Sequence, residues 1–363
     1  MNTTQNLGLQ KQKKIHNKTI KIFGPPGTGK TWTLIERVVK KYLKQGTDPE
    51  KIAFISFTNK AVDTAKIRAL EAFPNLNSQS FSRFRTLHSY CRRYFEEEIF
   101  DTKDCMIDYA LTNSFVKRSD NRLSQDNFTY SDWSIGIYDK ARNLLEDPIL
   151  VYKRESQKKD SLDVFIRKIS TYEHYKTSGG ERSFLDFTDM VERALHEVDF
   201  PSLDLLILDE AQDFTPLQWS LIYKMADKVK RIYLAGDDDQ AIYQWNGADT
   251  RYFTKYFPGR KVVLRKTRRF GTAIHQFSQV VRKGIIDSVD KEFEPLVKDG
   301  TVKRYLSFKE IPFEKDDGKW FMLGRIHTTV NELKALAKDA GIYFSDNHGR
   351  KSFDQDQWLA IKA

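Results

Sequence analysis

Residues 24–31 read Gly-Pro-Pro-Gly-Thr-Gly-Lys-Thr, a fit to the pattern G-x-x-x-x-G-K-[ST]. They follow the strand-like run TIKIF (19–23) and open the helix-patterned KTWTLIERVVKKYLKQG (30–46). That context is the one in which this pattern cradles phosphate. Gly24, Gly27 and Gly29, with Pro25, Pro26 and Thr28 between them, let the backbone curl so that successive N–H groups point inward. The following helix adds the positive end of its dipole. Lys30 has the reach for β- and γ-phosphates, and Thr31 offers a hydroxyl to Mg²⁺. The plain alternative is a Gly/Pro turn without chemistry, and the strand–loop–helix order weighs against it.

A phosphate cradle needs an acid to hold the metal, and LLILDEAQD (205–213) supplies one. An apolar strand delivers Asp209 at its carboxyl end, where open α/β sheets bind ligands. Asp209 is therefore the expected Mg²⁺ partner, and Glu210 the expected general base that polarises a water. A solvated acidic turn is the plain reading of that segment taken alone.

These residues need a scaffold, and the chain alternates strand-like and helix-like runs. KIAFISF (51–57), SFSRFRTL (80–87), LDLLILD (203–209), RIYLAGD (231–237) and KVVLRK (261–266) read as further strands. Apolar runs of this kind suit parallel strands buried on both faces. The alternation predicts an α/β fold, a doubly wound parallel sheet. From 89 to 183 strand runs vanish and the segment reads as a helical insertion. Residues 1–18 read as a frayed polar tail. After 267 a second, incomplete alternation begins with GTAIHQFSQVVRKG, TVKRYLSF, WFMLGRI, TVNELKALAKDAG and IYFSD.

The totals set outer bounds. A chain of 363 residues suggests two or three domains. Lys plus Arg number 60 against 50 Asp plus Glu, and a net charge of +10 suits an acidic polymer such as nucleic acid. No window approaches the roughly 18 uninterrupted apolar residues of a membrane span. The two cysteines, Cys91 and Cys105, cannot build a disulfide framework or a CxxC zinc site. A cytoplasmic setting is expected.

Several segments then agree in order with one family. GPPGTGKT, FTNKAVDTAKIRA (57–69), TLHSY (86–90), LDFTDM (185–190), DEAQD (209–213), GDDDQAIYQWNGAD (236–249) and LRKTRRFGTAI (264–274) resemble successive motifs of superfamily 1 DNA helicases of the UvrD/Rep/PcrA type. The resemblance covers about residues 20–275 outside most of the insertion, and GDDDQAIYQW is its most specific piece. It implies a P-loop NTPase of RecA-like fold, built from 19–88 and 184–266 with the insertion between, and the start of a second RecA-like domain over 267–363. It implies ATP and Mg²⁺ as cofactors. It implies a monomer travelling 3′ to 5′ on single-stranded DNA, acting at single-strand/duplex junctions in replication or repair.

The same resemblance assigns roles. Gln240 is similar to the glutamine that contacts the γ-phosphate, and Arg269 to an arginine finger that stabilises charge on the transferred phosphoryl. Phe57, Tyr243 and Trp245 look like base-stacking aromatics, a sequence-tolerant grip. Thr58, Asn59, Thr86 and His88 look like neighbours of the DNA backbone. Core packing is the plain alternative for the aromatics, strongest at Phe57, which ends a buried strand.

The match has gaps. Arg268 stands where the family has an adenine-stacking tyrosine, and a guanidinium plane can also stack. Asn246 replaces an arginine in the family's WRGA. Gln10 lies at about the distance of the adenine-reading glutamine, in surroundings that do not match. Motifs V and VI are not found before Ala363, so a fragment of a longer motor is expected. Two rival readings stay open: an ATP-responsive single-strand binding module that is no motor, and a GTPase, faintly suggested by NKAVD (59–63).

Overall fold

The computed structural model describes residues 3–99, 132–178, 184–286, 288–312, 320–324, 327–346, 349 and 351–352. Part of the predicted insertion, Cys105, most of TSGGERS (177–183) and the terminal DQDQWLAIKA lie outside the described residues. The chain divides into two compact units, 1–300 and 301–363.

The first unit is built on six parallel strands: β1 (Thr19–Phe23), β2 (Ile52–Ser56), β3 (Phe84–Thr86), β6 (Leu203–Leu208), β7 (Val229–Gly236) and β8 (Arg260–Val263). Two short strands between them, β4 (Glu98–Ile99) and β5 (Phe184–Leu185), pair with each other. The main sheet runs β3-β2-β6-β7-β1-β8. Ile22 faces Ala235 across the β1–β7 pair, and Leu208 faces Leu234 across β6–β7.

Alternate side chains of each strand go to opposite faces, and both faces are apolar. Ala53, Ile55, Leu206 and Leu208 pack with Met190, Val191, Leu217 and Trp219 on one side. Ile52, Phe54, Leu205 and Ile207 pack with Leu34, Ile35, Val38 and Val62 on the other. Two buried faces explain why these strands read as unbroken apolar runs rather than as alternation. The third expected strand is shorter than SFSRFRTL suggested, because residues 78–81 form a 3₁₀ turn capped by Asn77.

Residues 3–18 differ from the frayed tail expected of the first eighteen. Helix α1 spans Thr3–Lys18, and its Ile15 is buried against the sheet domain. Lys18 Nζ donates to the carbonyls of Ala226 and Val229, and Lys11 pairs with Asp227 at 2.7 Å. Three apolar residues in sixteen, Leu7, Leu9 and Ile15, are too few to mark a helical stripe, so the docking was invisible in the pattern.

Helix α2 covers 30–44, with a π-helical stretch over Thr33–Val39, and α3 covers Asn59–Ala72. Short α4 (Leu87–Arg92) follows β3. The described insertion residues form α5 (Trp133–Leu144), α6 (Pro148–Arg154) and α7 (Leu162–Ser178). Asp132 and Asp147 cap the starts of α5 and α6 by accepting from backbone N–H groups, and Pro148 sits where its missing N–H costs nothing. Ile137, Ala141, Val151, Tyr152 and Phe165 give these helices a core of their own. Helix α8 (Phe187–Glu197) and helix α9 (Pro216–Ala226) return the chain to the sheet, and α10 (Thr272–Arg282) follows it.

A buried ionic cluster joins the insertion to the sheet domain. Arg142 of α5 lies 2.8 Å from Asp186 and 2.7 Å from Glu192, and also pairs with Asp189. Lys176 of α7 reaches Asp186 at 2.8 Å and Asp189 at 2.7 Å, and the Tyr172 hydroxyl donates to Asp186. Burial alone would raise the Asp186 carboxyl, but Arg142 and Lys176 outweigh it and hold it well below the carboxylate range. This is what LDFTDM does structurally: Asp186 and Asp189 form the capping box of α8 while anchoring two helices of the insertion.

In the second unit the described residues include a 3₁₀ turn at Phe308–Glu310, α11 (His327–Asp339) and one antiparallel bridge between Ser345 and Lys351. TVKRYLSF and the described part of WFMLGRI carry no strand. No helix among the described residues is long and apolar enough to cross a membrane.

The ionic cluster predicts a large penalty for breaking it. Arg142→Met should lower the unfolding free energy by about 3–5 kcal/mol, since it strands buried carboxylates. Urea unfolding followed by circular dichroism measures it; an unchanged midpoint would mean the cluster is solvated.

Candidate functional site

Parallel pairing puts every strand's carboxyl end on one edge of the sheet, and each sequence motif begins where a strand stops. The phosphate-loop candidate follows β1. Its first residue is tied to the neighbouring strand by Gly24 N donating to Gly236 O at 3.0 Å. Gly27 and Gly29 hold φ of +76° and +83°, the left-handed region where a Cβ would be strained. Thr28 closes the turn, its hydroxyl and its N–H both donating to Pro25 O. Lys30 folds back over the loop, with Nζ donating to Gly24 O at 3.0 Å and lying 3.8 Å from Glu210 Oε2.

The acid pair meets this loop from β6. Thr31 Oγ1 donates to Asp209 Oδ2 at 2.7 Å, so the two expected Mg²⁺ partners are already in contact. Asp209 is fully buried, and burial, with the Glu210 charge adding, pushes its carboxyl up to about 6. A hydroxyl and a carboxylate are the hard oxygen donors Mg²⁺ takes, and a buried carboxylate raised in this way is one that a bound cation would favour. Glu210 turns the chain sharply, with φ 54° and ψ 46°, and this aims its carboxylate back toward Lys30. Asp213, at the end of the same motif, is pushed up to about 7 by burial and then by Glu210.

Gln212 is a link that the sequence reading did not single out. Its Nε2 donates to Glu210 Oε2 at 3.1 Å, and its Oε1 accepts from Asp237 N at 3.0 Å. It bridges the ends of β6 and β7. Gln240 sits just beyond Asp237, half-buried, and donates from Nε2 to Asp237 Oδ2.

Arg268 and Arg269 reach the loop through their backbone. Arg268 N donates to Gly27 O at 3.1 Å, and Thr267 Oγ1 donates to Pro26 O at 2.6 Å. A Cβ on Gly27 would lie 2.3 Å from Arg269 Cβ, so Gly27 is required by close approach as well as by φ. Both arginine side chains are exposed. Arg269 belongs to the same compact unit as the loop it would serve. Gln10 is not brought here. Its neighbour Lys11 pairs with Asp227 just before β7 begins, which puts Gln10 at the opposite, amino-terminal edge of the sheet, exposed on α1. Sequence distance alone had suggested otherwise.

The second cluster forms one groove of about 540 Å³. Phe57, Thr58, Asn59, Thr86 and His88 all line it, joined by Phe187 and Arg92. Strands β2 and β3 end side by side, Ser56 opposite Thr86, which is why motifs thirty residues apart share a wall. Thr58 and Thr86 each cap the helix that follows, accepting from Ala61 N and Ser89 N. Asn59, the first residue of NKAVD, lines this groove as well.

Phe57 is half-buried rather than part of the core. Its ring packs on Tyr243 with centroids 4.5 Å apart and planes at 39°. The two aromatics are thus a pair. Trp245 is 70% exposed on a 3₁₀ turn ending at Gly247, φ +91°. Phe187, unassigned by the sequence reading, packs beside His88 at 5.2 Å and is 46% exposed. Burial pushes the His88 imidazole down to about 4, against the opposing pull of Asp186. At neutral pH His88 therefore meets the groove as an uncharged ring.

Comparison with known proteins agrees with this layout. The UvrD/REP helicase N-terminal domain matches residues 6–257. The chain is similar to the probable DNA helicase II homolog of Mycoplasma pneumoniae, 25% identical over 348 residues, 90% of this chain and 48% of that protein. It is 26% identical over 282 residues to the ATP-dependent DNA helicase Rep of Buchnera aphidicola, covering 71% of this chain and 42% of that one. It is 25% identical over 345 residues to the ATP-dependent DNA helicase PcrA of Bacillus subtilis, covering 88% and 44%. The chain spans about half the length of the curated relatives it matches.

The depressed His88 value carries a sign that can be checked. Its folded pKa of about 4 lies below the usual histidine value of 6.5, so between these values the unfolded chain binds the extra proton. Stability from His88 is full above that window and is lost as pH falls through it. His88→Phe should flatten this part of the stability–pH curve, and NMR titration should find His88 neutral at pH 6.

Proposed function

This chain belongs to the UvrD/REP helicase family, and on that footing we propose that it acts as an ATP-driven motor on single-stranded DNA, separating duplexes as it moves. What carries the reading is one short segment. Gly236 accepts from the first residue of the phosphate loop, and seven residues later Tyr243 packs on Phe57 at the groove. A change felt at the loop has a covalent and packed route to the strand-gripping surface.

At the nucleotide, the inward-facing N–H groups of residues 24–29 hold the phosphates, and Lys30 neutralises their charge. Thr31 and Asp209 would hold Mg²⁺, which when bound would supply electrostatic stabilisation of the transferring phosphoryl group. Glu210 accepts a proton from the attacking water, and Gln240 orients that water and reports the terminal phosphate. Arg269 stabilises the charge that develops in transfer. Arg268 offers its guanidinium plane to the base; Gln10, at the far edge of the sheet, has no part.

At the groove, the outer face of the Phe57–Tyr243 pair and the indole of Trp245 stack on bases without regard to sequence. Thr58, Asn59, Thr86 and neutral His88 hydrogen-bond the backbone. Travel from 3′ to 5′, action at single-strand/duplex junctions, a monomeric cytoplasmic protein, and a second RecA-like domain beginning near residue 267 complete the proposal.

ATP hydrolysis measured with and without oligo-dT tests it. Hydrolysis should rise with the strand and vanish in Lys30→Ala. Hydrolysis that ignores the strand, together with ATP-sensitive strand binding, would leave a binding module instead of a motor. Trp245→Ala should weaken strand binding by about 1–3 kcal/mol in fluorescence anisotropy with the fold intact. Unchanged affinity would remove Trp245 from the grip.

A further inference from the structure

We infer that Lys291 is a positioning residue for hydrolysis: it fixes, through Asp237, which end of the Gln240 amide faces the nucleotide. The inference rests on the nucleotide reading above and adds a residue to it.

Three aspartates follow β7 in sequence, and one carboxylate oxygen from each of Asp237, Asp238 and Asp239 lies within 4.8 Å of the others. Like charges this close and this buried repel unless a cation sits among them. Lys291 is that cation. Its side chain is fully buried, with Nζ 2.8 Å from Asp237 Oδ1, 2.9 Å from Asp239 Oδ2, and donating to Asp238 as well. Burial alone would lower the Lys291 ammonium, but Asp237 and Asp238 outweigh it and hold its pKa above the usual lysine value.

The segment that carries Lys291 is pinned at several points. Val289 N donates to Asp238 Oδ2 at 2.7 Å, and Ser288 Oγ to Asp239 Oδ1 at 2.5 Å. Arg282 Nε lies 2.9 Å from Asp239 Oδ2, and an Arg282 Nη1 bond reaches Lys291 O at 2.9 Å.

Asp237 uses its two oxygens differently. Oδ1 is held by Lys291, and Oδ2 accepts from Gln240 Nε2. An ionised carboxylate can only accept, so the Gln240 amide must present its nitrogen to Asp237 and its carbonyl oxygen away from it. A carbonyl oxygen can accept from the O–H of an attacking water; an inverted amide would offer N–H groups instead. The backbone N–H of Asp237 is also held, by Gln212, which in turn donates to Glu210. Lys291 thus steadies a carboxylate that stands one side chain from Glu210 and one from Gln240. Remove the ammonium and Asp237 faces Asp238 uncompensated, so the plane that holds the amide is no longer defined.

The test is ATP hydrolysis by the full-length chain at saturating oligo-dT, with Lys291→Met, Gln240→Ala and the double variant. Lys291→Met should cut kcat about ten- to a hundredfold, the scale of a misplaced catalytic group. KM for ATP should stay within about twofold, because the interaction lost is one made in the transition state. The double variant should be no slower than Gln240→Ala alone, because Lys291 acts through that side chain. Should Lys291→Met fold poorly, Lys291→Met/Asp238→Asn removes one uncompensated carboxylate, and its kcat should be equally low. An unchanged kcat in the folded variant, or losses that multiply in the double variant, would overturn the inference. Lys30→Ala separates the two levels. Hydrolysis that survives it would sink the nucleotide reading and this inference with it. Hydrolysis that it abolishes but Lys291→Met leaves alone would sink the inference only.

Discussion

Parallel hydrogen bonding of the six strands is the constraint on which the rest depends. Because β1, β2, β3, β6, β7 and β8 run in one direction, every turn that leaves a strand's carboxyl end opens on the same edge. The phosphate loop, the acid pair, the aspartate run and both walls of the groove are separate in sequence and neighbours only for this reason. An antiparallel partner anywhere in the middle would send one of them to the far side. Burial of both faces by α2 and α3 on one side and α8 and α9 on the other keeps that edge in place.

Two buried ionic clusters work on top of this sheet, and both join distant parts of the chain. Arg142 and Lys176 meet Asp186 and Asp189 and hold the insertion against α8. Lys291 meets Asp237, Asp238 and Asp239 and holds the residues after α10 against the end of β7. Such clusters add little net stability compared with apolar packing, but they are specific in geometry, since an unmatched buried charge is costly. They define where the surrounding segments sit, one near the groove and one near the nucleotide loop.

Much of this was legible in the sequence, for a physical reason. Lys30, Thr31, Asp209 and Glu210 are short-range signals, each fixed by a strand that precedes it. Phe57, Thr58, Asn59, Thr86 and His88 were legible too, and the structure puts all five on one groove. What stayed hidden is what depends on long-range pairing. Lys291 lies 54 residues from Asp237, and Arg142 lies 44 from Asp186, and nothing local marks either. Phe187 sat inside a quoted motif without a role, because a ring beside His88 becomes visible only when α4 and α8 are placed. Helix α1 was missed because Leu7, Leu9 and Ile15 are too few to make a periodic stripe, and the place of Gln10, exposed on that helix, could not be read because spacing carries no information about which edge of the sheet a helix approaches.

The backbone of Glu210 sets stability and chemistry against each other. Among the described residues, Leu145 and Glu210 are the non-glycine positions with positive φ. A side chain in that conformation costs about 1–3 kcal/mol, and glycine would relax it. A chain selected for robustness alone would drift toward glycine here and lose the carboxylate that faces Lys30. The carboxylate at this position is thus held against the local preference of its own backbone, as the proposed role in hydrolysis would require.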